Sequence, residues 1–154
     1  MANLISTITE TISLNGRERG SVNTLSIGSV TEVFHRIVTC PTGQDTTVAT
    51  FQAETNTTDG ALDLDNVKYI RVTNLDGTNP VNLSLQVAGA EGGTANMSTT
   101  ILLAAGRSFV MGSPHDGIAL DDDAAGIVTT LVDLESLLVD PSSNSVSVEV
   151  FIAC

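Results

Sequence analysis

Between positions 81 and 87 apolar and polar residues alternate without a break. Val81, Leu83, Leu85 and Val87 share one parity, and Asn82, Ser84 and Gln86 share the other. A period of two marks a strand with one dry face and one wet face. The pattern returns where Val146, Val148, Val150 and Ile152 alternate with Ser147, Glu149 and Phe151. Ahead of the first strand, Val67, Tyr69, Arg71, Thr73 and Leu75 fall on one side, with Lys68, Ile70, Val72 and Asn74 on the other. Asp76, Gly77, Thr78, Asn79 and Pro80 lie between the two arms, residues that bend the backbone or fix it. The spacing predicts a β-hairpin over 67–87 with a loop of about five residues.

Shorter stretches extend the pattern. At 6–14, Ile8, Ile12 and Leu14 share a parity that Glu10 interrupts, which predicts an edge strand or a terminal arm. Residues 1–25 as a whole are expected to form an extended N-terminal arm on a single domain spanning 1–154. Strands are predicted at 22–27, at 31–40 up to the breaker Pro41-Thr42-Gly43, and at 46–52. Two more, at 101–103 and 107–111, flank the corner Ala104-Ala105-Gly106. The Gly-, Ala-, Ser- and Thr-rich stretch 88–99 is predicted to be a long loop. Residues 125–138 are ambiguous, because 127–133 is rich in β formers while Leu131, Leu134, Glu135 and Leu138 fit helical spacing. The reading adopted is a strand and then a short turn, with a further turn from Asp140 to Asn144. Roughly eight to ten short strands with turn signals every 8–12 residues and no alternating helices predict an all-β chain. The expected architecture is an antiparallel β-sandwich, jelly-roll-like, in preference to a barrel.

Composition changes the picture in two ways. Hydrophobic residues are 42% of the chain, but with four Phe, one Tyr and no Trp the core must be aliphatic. Charged residues are 16%, against the usual ~25%, so Thr, Ser, Asn and Gly must cover the surface. The formal charge of −12 counts against a nucleic-acid partner and against an anionic membrane surface. It serves solubility, or else a surface that sits beside many copies of itself. Arg17 and Arg19, in the turn Asn15-Gly16-Arg17-Glu18-Arg19-Gly20, form the one basic spot. That turn reads as a solvated loop or as a cationic contact for an acidic neighbouring subunit. The first residues lack the basic and long apolar regions of a signal peptide, and no apolar run approaches the ~18 residues of a membrane span.

Candidate chemistry is thin. Ser113, His115 and Asp116 include the residue types of a triad, yet near-adjacent residues cannot readily aim at one another. His35 and Cys40 have opposite parity and so belong on opposite faces of a strand. No catalytic residue and no cofactor are expected. Asp121, Asp122 and Asp123, and the pair Asp63 and Asp65, supply oxygen ligands of the kind hard cations use. Neither follows a known loop spacing, and a solvated acidic loop is the favoured reading, so no metal site is assigned. Cys40 and Cys154 lie in no Cys-x-x-Cys and are expected as free thiols, with a disulfide left open. A sugar-binding sandwich would use aromatic platforms, and this chain has Tyr69 as its single Tyr.

The run Asn66-Val-Lys-Tyr-Ile-Arg-Val-Thr-Asn-Leu-Asp-Gly-Thr-Asn-Pro-Val-Asn-Leu, followed by Ile101-Leu-Leu-Ala-Ala-Gly-Arg-Ser-Phe-Val-Met, resembles small virion structural proteins of tailed bacteriophages, especially marine and cyanobacterial phages. Gly28-Ser-Val-Thr-Glu-Val-Phe-His-Arg-Ile-Val looks like their N-terminal third, and Val148-Glu-Val-Phe-Ile-Ala fits their closing strand. The resemblance implies a non-enzymatic β-sandwich present in many copies on a virion, made in the host cytoplasm. It implies attachment to a capsid or a tail without saying which; of these roles the preferred one is a capsid decoration or cement protein that binds the major capsid protein or other virion proteins, as a homo-oligomer with a trimer favoured. A tail, neck or fibre component is the nearest alternative, and a glycan-binding module is the alternative from another class.

Overall fold

A computed structural model describes residues 1–52, 60–87, 97–112, 114, 116–120 and 126–154. Its strands in chain order are β1 (Ala2–Thr9), β2 (Ser13–Leu14), β3 (Arg17–Glu18), β4 (Val22–Val30), β5 (Val33–Cys40), β6 (Thr46–Gln52) and β7 (Leu62–Asp63). After a 3₁₀ turn at Leu64–Asn66 come β8 (Tyr69–Asn74), β9 (Val81–Val87), β10 (Met97–Leu103), β11 (Ser108–Gly112), β12 (Leu134–Pro141) and β13 (Val146–Ala153). The described residues contain no α-helix.

Two sheets form the body, one ordered β11-β8-β13-β5 and the other β10-β9-β12-β6-β7. Apart from the short parallel pairing of β6 with β7, every ladder is antiparallel. Among the eight main strands from β5 to β13, only β9 and β10 are consecutive and share a sheet; every other step crosses to the opposite sheet. That order is the double Greek key of a jelly roll. The alternation dictates the packing. Ile70 and Val72 of β8 and Val148, Val150 and Ile152 of β13 face Leu83 and Leu85 of β9 and Leu137 and Val139 of β12, in one aliphatic core. All twelve of the largest fully buried side chains come from these four strands, which is why the two longest alternating patterns in the sequence mark the centre of the fold.

The expected hairpin at 67–87 is corrected. Both strands are present, but β8 and β9 lie in different sheets, so the loop between them arches across the core. Asn74 explains the arch. Its amide is fully buried and donates to Asn79 O (2.9 Å) and Leu103 O (3.2 Å), while its Oδ1 accepts from Asp76 N (2.9 Å). Asp76 Oδ1 in turn accepts from the backbone N–H groups of Thr78 (2.7 Å) and Asn79 (2.6 Å). These side chains satisfy the loop's polar groups, which in a hairpin would pair across a ladder.

Two other boundaries move. Strand β12 begins at Leu134, where a turn was expected after a strand at 127–133; the earlier stretch contributes an isolated bridge between Ile118 and Val132. The expected loop at 88–99 gives up Met97 to Thr99 to β10, and its remainder, 88–96, lies outside the described residues.

The N-terminal thirty residues stand apart. Strands β1 and β4 pair from Ala2–Val30 to Thr9–Val22, and β2 and β3 continue the ribbon to its tip. At the base Leu4 and Ile27 pack with Val30, Tyr69, Ala153 and Phe151. Lys68 Nζ donates to Ser29 O (2.6 Å), and Thr31 N (2.7 Å) and Glu32 N (3.3 Å) donate to Cys154 O. From position 7 to 25 every residue is exposed except Gly20, which is half-buried. The arm expected over 1–25 is therefore a ribbon that runs to Val30.

Candidate interaction surfaces

The tip of the ribbon is built by its sequence. Asn15 (φ 53°) and Gly16 (φ 72°) both adopt positive φ, the requirement of the two-residue turn that joins twisted antiparallel strands. Glu18 turns inward, its Oε1 accepting from Gly20 N (2.8 Å), Ile12 N (3.0 Å) and Arg19 N (3.1 Å). The Gly20 and Ile12 hydrogen bonds hold its carboxyl below the ordinary range. A Cβ at position 20 would lie 1.9 Å from Glu10 O, so only glycine fits there. Ser21 Oγ closes the ribbon onto Glu10 Oε2 (2.6 Å). Arg17 and Arg19 are left exposed on this frame, with Ile12 and Leu14 beside them at 54% and 56% exposure.

A second feature covers the outer face of the β11-β8-β13-β5 sheet. Glu149 accepts from Arg71 Nη1 through Oε2 (2.7 Å), and its Oε1 lies 2.7 Å from His35 Nε2. Arg71 also reaches Thr73, whose hydroxyl meets Ser108 (2.8 Å). Phe151 packs edge-on between His35 (5.8 Å) and Tyr69 (6.2 Å). The network ties all four strands together. The Arg71 hydrogen bond first, and His35 second, hold the Glu149 carboxyl below its ordinary range. Each member occupies an outward position of its strand, but Arg71 and Glu149 are far apart in sequence, so their pairing awaits the register of β8 against β13.

The third feature lies on the outer face of the opposite sheet. Outward residues of β9, β10 and β12 enclose a shallow depression of about 260 Å³. Asn82, Ser84, Gln86, Ser98 and Thr100 line it, Leu138 adds the one apolar side chain, and Asp45 and Asp140 supply its charge. No aromatic ring takes part.

The residues weighed in the sequence resolve unevenly. Asp121, Asp122, Asp123, Ser113 and His115 lie outside the described residues. Asp63 caps the 3₁₀ turn, accepting from Asp65 N (3.1 Å) and Asn66 Nδ2 (2.6 Å). Asp116 N donates to Asp133 Oδ1 (2.8 Å). His35 and Cys40 take opposite faces of β5, His35 at the surface and Cys40 in the core. Cys40 pairs with the first residue of β13 and Cys154 follows its last. An eight-residue strand separates them by roughly 25 Å, far beyond the ~7 Å reach of a disulfide. Both thiols are free and buried, and burial raises both pKa values, which makes them poor nucleophiles. Among the described residues no three His, Cys, Asp or Glu side chains converge as metal ligands. Comparison of the chain with protein-family models, with curated proteins and with solved structures finds no match.

Proposed function

We propose that this chain is a non-enzymatic structural subunit of a phage virion, a capsid decoration or cement protein that binds neighbouring capsid subunits through its N-terminal ribbon. The observation that carries the reading is the ribbon itself. Two-stranded ribbons are marginal in water on their own, and this one exposes Ile5, Ile8, Ile12, Leu14, Val22 and Leu25. Surface of that kind gains free energy only when another molecule covers it. The jelly-roll body supplies a rigid base with its own core, and jelly rolls recur in viral coat domains and in lectins, an analogy of fold alone. The resemblance in sequence to virion proteins points the same way.

The test is co-sedimentation with capsids that lack the protein, comparing the full chain with one shortened by residues 1–28. The full chain is expected to pellet with capsids and the shortened chain to stay in the supernatant while keeping its β-sheet circular dichroism. Shortened protein that decorates capsids fully would overturn the role of the ribbon. A full chain that pellets with tails and not with capsids would move it to the tail, neck or fibre alternative.

A further inference from the structure

We infer that the depression on the outer face of the β9, β10 and β12 sheet is the seat for the ribbon tip of a second copy of this chain, with Arg17 and Arg19 of one copy entering between Asp45 and Asp140 of the next. The inference rests on the proposed role as a many-copy structural subunit: the tip engages a second copy, while exposed Ile5, Ile8, Val22 and Leu25 of β1 and β4 remain for the capsid. Charge argues for it first. Residues 1–30 carry two acidic and two basic side chains, while residues 31–154 carry sixteen acidic and four basic ones, so the whole −12 resides on the body. The ribbon tip holds the one basic cluster, and the depression has two carboxylates and no cation.

Partnering argues for it next. Of the four cations of the body, Arg71 is committed to Glu149, Lys68 to Ser29 O, and Arg36 stacks on Phe34 at 4.8 Å, which leaves Arg107 as a single charge beside β11. The side chains of Arg17 and Arg19, and those of Asp45 and Asp140, have no hydrogen bond or ion pair among the described residues. With Glu18 turned onto the backbone, the two guanidinium groups are presented on a pre-formed turn, which lowers the ordering cost of docking. Leu14 pairs directly across from Arg17, and Leu138 is the apolar element of the seat. Apolar and charged elements therefore match on both sides.

Placement decides which copy supplies the tip. The base of the ribbon rests against Tyr69 and Phe151 on the outside of one sheet, and the depression lies outside the other sheet. The base and the seat thus lie on opposite faces of the sandwich, and the exposed tip leaves the seat of its own chain open. The contact joins unlike surfaces, tip to seat, so two copies can exchange tips about a twofold axis or several can close into a ring.

Light scattering on the purified full chain tests this without any capsid. The chain is expected to form a discrete oligomer whose affinity falls as salt rises. The variants Arg17→Glu/Arg19→Glu and Asp45→Lys/Asp140→Lys should each weaken self-association by about tenfold or more. Combining all four substitutions in one chain restores opposite charges at every contact and should bring the oligomer back, which also shows that the altered chains fold. A full chain that stays monomeric at every concentration overturns the inference. So does either double variant that keeps the wild-type mass, or a quadruple variant with native circular dichroism that fails to recover it. Capsid sedimentation reads a different contact, so decoration that survives while self-association fails sinks this inference alone.

Discussion

In the sandwich, Leu83, Leu137, Val139 and Ile152 are fully buried between two sheets; in the ribbon, Ile5, Ile8, Ile12 and Val22 are each more than half exposed. Both regions are regular antiparallel β structure with similar residue types. They differ in what covers them. The body has a second sheet of its own to pack against, whereas ribbon residues 7–25 are exposed except for half-buried Gly20. Charge divides along the same line, with the excess of acid on the body and a balanced ribbon. One region therefore holds the stability of the isolated chain, and the other holds surface that becomes useful on assembly.

The comparison can be broken most forcefully in the core. Leu137→Ala should cost about 2–5 kcal/mol in urea unfolding, because the cavity opens between tightly packed strands. Asn74→Leu comes next. It strands the carbonyls of Asn79 and Leu103 and the N–H of Asp76, and should cost about 2–3 kcal/mol. Glu149→Gln should cost about 1 kcal/mol at neutral pH, since the pair with Arg71 is only partly screened from water. Its pH dependence has a definite sign. Glu149 titrates lower in the folded chain than in the unfolded one, so its contribution is present above the ordinary carboxylate range and is lost as pH falls through the folded value. Urea midpoints of wild type and variant should therefore converge in acid. Ile8→Ala on the ribbon should change the stability of dilute protein by less than about 0.5 kcal/mol. A loss comparable to that of Leu137→Ala would mean that the ribbon is part of the body's cooperative unit.

Much of the sandwich was legible because β9 and β13 alternate without interruption, and each inward residue of those patterns is buried. Which strands pair was not legible. Alternation tells which way a side chain faces and says nothing about the neighbouring strand, so an arch and a hairpin over 67–87 look alike until Asn74 is known to be buried. Strand β12 was obscured by its own irregularity. Register shifts lie between Leu134 and Ser136 against β9, and between Leu137 and Leu138 against β6. They let Leu134 and Leu137 both face the core at a spacing of three, which breaks the period of two that marks the other strands. On the surfaces, the basic turn of Arg17 and Arg19 stood out in the sequence. The depression did not, because its lining comes from separate strands whose outward residues are ordinary wet positions.

Native-state hydrogen exchange, followed residue by residue in dilute and in assembled protein, tests the division between body and ribbon most directly. The account predicts that amides of β8, β9, β12 and β13 exchange only through global unfolding in both samples. Ribbon amides from position 7 to 25 should exchange far faster in dilute protein and gain protection on assembly. Ribbon amides protected as strongly as those of β13 in the dilute chain would contradict it.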